Sequence, residues 1–165
     1  MNFILKILSL FLLLLLGCSS QEKNIYIESP NKNISVKILK RNNDFIYNVN
    51  FNGKTIIQDS KVGLTFKNNF EFPTNHNVKK VEKGFHKYAW ELPWGEKKVV
   101  KDIYNEIIIS LTDTNNLETG KILFRAYDDG IAFRYQMNDN KKNQDSLIII
   151  NELTEFNLSE DAQAW

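Results

Sequence analysis

Residues 122–135 read ILFRAYDDGIAFRY, and they carry the clearest structural signal in the chain. Apolar and polar residues alternate on both sides of Asp129-Gly130, which is typical of two β-strands that each bury one face. A two-residue turn at Asp129-Gly130 would join the strands into a hairpin. Three facing pairs would then form one apolar face: Ala126 with Phe133, Phe124 with Tyr135, and Ile122 with Met137.

The same register predicts that Arg125 faces Arg134 on the other side of the hairpin. Like charges directly opposed across a sheet are unfavourable, so this structural charge pair should hold an acid or a ligand anion between its members. A carboxylate from a neighbouring strand is the favoured occupant, and a substrate anion is the alternative. A three-residue turn would relieve the repulsion but mix the two faces, so the two-residue turn is preferred.

The period of two continues through the chain from Ile25 onward. Asn52-Gly53 between two such runs predicts a second hairpin, because a type I′ turn needs positive φ at both central residues. Asparagines stand at most other expected turns, and Asn tolerates the left-handed region better than most residues. About ten short strands without a helix predict an all-β fold, an antiparallel sandwich or an open barrel.

Composition excludes several classes of function. The net charge of the 165 residues is +1, and lysines and arginines occur in isolated doublets, which argues against a nucleic-acid partner. A single cysteine excludes disulfides within the chain. With only two histidines beside that cysteine, we expect no metal site in this chain.

The amino terminus has the pattern of a signal peptide. Residues 1–17 contain Lys6 followed by an apolar run that is too short to span a bilayer of ~30 Å. Leu15-Leu16-Gly17-Cys18 resembles the bacterial lipobox, which makes Cys18 the predicted lipidated residue; an ordinary secretory signal with a stray cysteine is the alternative. Residues 18–24 would then be a tether, residues 25–165 the folded domain, and the protein a cell-envelope lipoprotein anchored to the membrane on the periplasmic side or in the outer membrane.

Residues 90–106, WELPWGEKKVVKDIYNE, place two tryptophans in a stretch without helical or strand periodicity before Val99. Each Trp can bury roughly 150–250 Å², so a loop that carries Trp90 and Trp94 is expected to pack on another domain or to line a pocket. The alternative is a loop folded onto its own core.

Four blocks of the chain resemble the amino-terminal domain of glycoside hydrolase family 97, a family of α-glucosidases and α-galactosidases. They are Ser29-Pro30-Asn31, residues 90–96 with Tyr104-Asn105-Glu106, residues 125–135, and residues 152–156 running on to 161–165. The resemblance implies a β-super-sandwich similar to galactose mutarotase, followed by a (β/α)₈ barrel that carries the catalytic carboxylates. It also implies a calcium ion, held mainly by glutamates of the later chain.

The sequence stops at Trp165, before such a barrel, so we expect an incomplete sandwich, no catalytic residue and no cofactor in this chain. Two functions remain open. The first is a non-catalytic domain that supports the active-site rim of the barrel and so meets glycan through the full-length enzyme. The second is a free-standing lipidated carbohydrate-binding module. The candidates for contact with substrate or barrel are Trp94, Gly95, Glu96, Asn105, Glu106 and Trp165.

Overall fold

The computed structural model describes residues 24–138 and 146–161. Within them the chain forms eleven strands and no helix, so no helix there could cross a membrane. The strands are β1 (Ile25–Glu28), β2 (Ile34–Arg41), β3 (Asp44–Phe51), β4 (Lys54–Val62), β5 (Leu64–Phe66), β6 (Glu71–Phe72), β7 (Asn77–Glu91), β8 (Val99–Thr112), β9 (Glu118–Ala126), β10 (Ile131–Met137) and β11 (Ile149–Glu152). The predicted all-β fold is confirmed. Cys18, the signal peptide and Trp165 lie outside the described residues.

The strands form three antiparallel sheets. The first has the order β1-β2-β3-β4, the second β10-β9-β8-β7, and the small third sheet β11-β5-β6. In the first two sheets neighbouring strands are also neighbours in sequence, so each sheet is a simple meander joined by turns and short loops. At Asn52-Gly53 both central residues have positive φ, 50° and 79°, and the predicted hairpin is confirmed.

The two four-stranded sheets pack face to face to make a sandwich. Alternate residues of β2, β3, β8 and β9 are buried, as the period of two predicts. Tyr47 of β3 lies at the centre, with its ring centroid 5.9 Å from that of Phe124 and 5.7 Å from that of Phe133 in the opposite sheet. One continuous apolar core therefore joins the sheets.

The register of the β9–β10 hairpin differs from the prediction. Residues 127–130 form a four-residue loop, closed by a hydrogen bond from Tyr127 N to Gly130 O at 2.8 Å. Arg125 lies opposite Ala132 and Arg134 opposite Leu123, so the predicted facing pair Arg125–Arg134 is wrong. A shift of two residues leaves every side chain on its original face, and the apolar pattern therefore could not distinguish the two registers.

The stretch 90–106 is more regular than its sequence indicated. Trp90 belongs to β7 and Val99 begins β8, and only residues 92–98 form the connecting loop, closed by a 2.9 Å bond from Leu92 N to Lys98 O. β8 pairs with β9 from Asn105 onward, while its residues 99–104 pair with β7 residues 86–91. Residues 86–104 thus form a two-stranded ribbon, which extends roughly 20 Å beyond the sheet.

Candidate functional site

The tip of the ribbon brings three predicted contact residues together in solvent. Trp94 is 83% exposed, and Gly95 and Glu96 beside it are exposed as well. Gly95 has a φ of 117°, a conformation that residues with a side chain rarely adopt, so the tip turn requires glycine there. The alternative of a Trp94 side chain packed into its own core is wrong.

The ribbon carries further exposed apolar side chains below its tip. Tyr88 and Trp90 lie two residues apart on the face of β7 that points away from the core, and they are 55% and 48% exposed. Phe85 at the base, Leu92 in the loop and Val99 on the return strand are also exposed. A cluster of this size is typical of a surface that meets a partner or a ligand.

Asn105 and Glu106 lie at the base of the ribbon rather than at its tip. Asn105 Nδ2 donates to the carbonyl oxygen of Glu28 at 2.8 Å, which ties β8 to β1. The Glu106 side chain is only 9% exposed, and its Oε2 accepts a hydrogen bond from Arg125 Nε at 2.7 Å. Both residues already have partners within the sandwich, so a structural role accounts for them.

Arg125 and Glu106 belong to a group that we call the root cluster: His86, Tyr104, Glu106, Arg125 and Tyr127. The Arg125 guanidinium lies 4.3 Å from the centroid of the Tyr104 ring, in cation–π geometry. The rings of His86 and Tyr127 contact Tyr104 as well, with centroids at 4.9 and 5.1 Å. The cluster covers the outer face of the sheet where the ribbon leaves it, which keeps Tyr104 buried.

Two groups of the root cluster, Arg125 and Tyr104, have raised pKa values. The hydrogen bond from Arg125 to the Glu106 carboxylate raises the pKa of the guanidinium above its usual range. Burial raises the pKa of the Tyr104 hydroxyl, so that residue stays neutral. His86 Nε2 stands 3.6 Å from Glu106 Oε1, and a Cβ added at Gly84 would come within 3.0 Å of that nitrogen. Gly84 thus leaves room for His86 to lean toward the carboxylate.

Sequence reasoning missed His86, Tyr104 and Tyr127 as members of this cluster. The usable signal was the pair Tyr104 and Glu106, which are two residues apart and therefore share a face of β8. A buried acid on an outward face needs a cation, and Arg125 is its cross-strand neighbour in β9.

A family model described as Glycosyl-hydrolase 97 N-terminal matches residues 27–165, and this match contains both the ribbon and the root cluster. The chain belongs to this family. As a glycosyl-hydrolase 97 N-terminal domain, it is a non-catalytic domain type within a group of glycoside hydrolases, in agreement with the resemblance found in its sequence.

Solved structures support the assignment. One relative is a glycoside hydrolase family 97 enzyme from Pseudoalteromonas sp. strain K8, which was solved in complexes with panose and with acarbose. It is 29% identical to this chain, with a TM-score of 0.73 over 82% of this chain. A beta-arabinopyranosidase, 19% identical over 81% of the chain with a TM-score of 0.71, shares the fold. The chain spans 20% of the length of the Pseudoalteromonas enzyme and 21% of the arabinopyranosidase.

A calcium ion does not fit the described part of the family 97 domain. In residues 24–138 and 146–161, no three His, Cys, Asp or Glu side chains come close enough to hold a metal ion. Glu106, the most buried carboxylate of the site, is neutralised by Arg125. The described site therefore consists of an internally paired root cluster and an exposed ribbon tip.

Proposed function

We propose that this domain is the non-catalytic amino-terminal sandwich of an α-glycosidase of the α-glucosidase or α-galactosidase type, and that the tip of its ribbon supports the active-site rim of a following (β/α)₈ barrel. The observation that carries the proposal is the 83% exposure of Trp94 at the end of the two-stranded ribbon. Aromatic side chains supply much of the binding energy at protein interfaces, and a Trp left in water is costly unless it meets a partner.

The position of the ribbon favours a partner domain over the sandwich itself. Residues 86–104 extend past the end of β9, so their exposed rings cannot pack on the core of their own sheets. The loop combines Trp94 with Glu96 and with Lys97 and Lys98. An apolar centre with a charged rim is the usual composition of a domain contact.

The substrate class is proposed from the relatives. The Pseudoalteromonas enzyme was solved with panose and with acarbose, which makes an α-linked glycan the proposed substrate of a full-length enzyme that contains this domain. Two carboxylates placed across a glycosidic bond would be needed for that chemistry, and we propose that the barrel supplies them together with any calcium site.

The test is Trp94→Ala in the full gene product, with Leu117→Ala as the matched control. Leu117 is 54% exposed in the loop between β8 and β9, at the end of the sheet away from the ribbon tip. If Trp94 meets the barrel, its loss should cost ~2 kcal/mol or more of transition-state stabilisation, measured as catalytic efficiency on a nitrophenyl α-glucoside or α-galactoside per folded molecule. Leu117→Ala should leave efficiency unchanged. Equal efficiencies for Trp94→Ala and the native enzyme would contradict the proposal.

We also propose that Cys18 carries a lipid anchor and that the domain resides in the cell envelope. Leu15-Leu16-Gly17-Cys18 at the end of an apolar run is the supporting pattern. Several acyl chains on one residue give stable membrane attachment, whereas a single chain is marginal.

The second candidate is a free-standing lipidated carbohydrate-binding module, favoured by the adjacent exposed rings of Tyr88 and Trp90 on one face of β7. Aromatic faces of this kind can stack on pyranose rings. Titration of the isolated chain with maltooligosaccharides, followed by tryptophan fluorescence, would show saturable binding for a module and none for a scaffold. Reading the gene after codon 165 separates the candidates directly, because only the scaffold requires a barrel.

A further inference from the structure

The angle between the ribbon, residues 86–104, and the second sheet must be set by contacts where the ribbon leaves that sheet. A two-stranded hairpin is marginally stable by itself, because it has no sheet neighbour and no covered face. Residues 99–104 of β8 pair only with β7 in the described part of the chain. The side chains along residues 87–91 are exposed, and among them the ring of Tyr88 stacks on His86 of the root cluster, with centroids 6.0 Å apart. The root cluster is therefore the place where that angle can be set.

Arg125 is the member that links the ribbon to the rigid sheet. It belongs to β9, whose residues on both sides, Phe124 and Ala126, are fully buried in the core. Its guanidinium covers the ring of Tyr104, the last residue of the returning ribbon strand, and its Nε binds Glu106 two residues further along β8. His86, the first residue of the outgoing ribbon strand, stacks on the same Tyr104 ring at an interplanar angle of 22°.

We propose that Arg125 is a positioning residue, which fixes the direction of the ribbon through Tyr104 and Glu106 and thereby places Trp94 at the barrel. The effect on activity rests on the function proposed above, whereas the effect on ribbon geometry does not. A guanidinium suits this role because one flat group can stack on a ring and hydrogen bond a carboxylate at once. A lysine at the same place would keep the positive charge but lacks the flat group that can stack on the ring.

The geometry can be measured on the full chain with two spin labels. Cys18→Ser removes the native thiol, and Lys97→Cys and Asn43→Cys place labels on the ribbon loop and on the β2–β3 turn of the other sheet, both exposed. We expect a narrow distance distribution for the native sequence and at least a twofold broader one after Arg125→Gln. Arg134→Gln is the matched control, because Arg134 is an exposed arginine on the adjacent strand β10, and its distribution should equal the native one.

A second variant is included because Arg125→Gln alone could prevent the protein from folding. Arg125→Gln leaves the Glu106 carboxylate buried without its cation, while the double variant Glu106→Gln/Arg125→Gln removes both charges. The double variant should fold and still show the broad distribution, because the stack on Tyr104 is lost. A distribution as narrow as the native one in the folded double variant would overturn the proposal.

In the full gene product, Arg125→Gln should lower kcat/KM at least tenfold, and Arg125→Lys should recover part of it. If Trp94→Ala lowers efficiency but the native, Arg125→Gln and Arg125→Lys proteins show equal turnover per folded molecule, Arg125 has a merely structural role, and its assignment as a positioning residue is overturned. A broad ribbon distribution combined with an active Trp94→Ala enzyme would instead contradict the rim function and leave the role of Arg125 in ribbon geometry supported.

Discussion

Glu106 and Arg125 lie directly opposite each other on β8 and β9, and Arg125 Nε donates a hydrogen bond to Glu106 Oε2 at 2.7 Å. This cross-strand ion pair replaces the arginine pair that the hairpin sequence predicted. The carboxylate does come from a neighbouring strand, as expected, but it serves Arg125 alone, and Arg134 is exposed on β10. The positive charge of Arg125 offsets the cost of burying the Glu106 carboxylate on the outer face of the sheet.

Removal of the Arg125 charge should destabilise the fold through Glu106. Arg125→Gln is expected to lower the free energy of unfolding by about 2 kcal/mol, because the carboxylate stays buried while its cation is lost. The double variant Glu106→Gln/Arg125→Gln should recover at least half of this loss. Urea denaturation followed by circular dichroism measures both. Arg134→Gln, the exposed control, should change stability by less than about 0.5 kcal/mol; an equal loss in both single variants would refute the argument.

Gly120→Ala should destabilise the second sheet. A Cβ at this position would lie 2.5 Å from the carbonyl oxygen of Gln136 and 3.1 Å from two ring carbons of Phe72. Backbone on one side and a fully buried ring on the other leave little freedom to adjust, so we expect a loss of about 1–3 kcal/mol by chemical denaturation. Gly130→Ala is the control, because nothing lies within 4 Å of its added methyl group. Similar midpoints for the two variants would contradict this reading.

Alkaline pH should weaken the fold through Tyr47. Burial raises the pKa of its phenol to about 12 from an ordinary value of 10.0, and its hydroxyl donates to Glu155 O at 2.9 Å. The folded state thus holds this proton more tightly than the unfolded chain. Its contribution is complete below pH 10 and is lost as pH rises to 12, a change of roughly 2–3 kcal/mol.

Stability measured against pH checks this expectation. Tyr47→Phe should flatten the decline between pH 10 and 12, whereas Tyr88→Phe, a change at an exposed site, should leave its slope as in the native protein. A slope that Tyr47→Phe does not alter would assign the alkaline loss to other groups.

Processing at Cys18 should depend on the lipoprotein pathway. Globomycin, which blocks the lipoprotein signal peptidase, is expected to cause the uncut precursor to accumulate, and Cys18→Ala should release the protein from the membrane fraction. Immunoblots of fractionated cells report both. Normal cleavage and a soluble product in the presence of the inhibitor would favour an ordinary secretory signal.

The sequence predicted what depends on local pattern and missed what depends on distant neighbours. Alternation predicted that Phe124 and Ala126 lie on the buried face of β9, and Asn52-Gly53 predicted the turn between β3 and β4. Each of these signals depends only on residues within its own hairpin. The predicted register of β9 and β10 was wrong, because a shift of two residues leaves every side chain on the same face of the hairpin. The ribbon was missed because solvent on both sides of β7 removes the alternation that identifies a strand.

Candidate site residues divided in the same way. Trp94 and Glu96 remain predicted contact residues, and the sequence singled them out because large and charged residues in a loop stand out. The root cluster was missed because His86, Tyr104 and Arg125 are brought together by strand register over 40 residues of chain, which no local pattern encodes.

The edge strand β11 has a consequence for handling the protein. Residues 147–150 read LIII, all four are more than 50% exposed, and β11 pairs with β5 on one side only among the described strands. Uncharged apolar residues, three of them β-branched, on an open edge are a template for self-association into cross-β aggregates. By contrast, β7, an edge of the second sheet, carries Lys79, Lys80, Lys83 and Lys87, which discourage such pairing. A charged substitution at Ile150 should therefore raise the solubility of the chain.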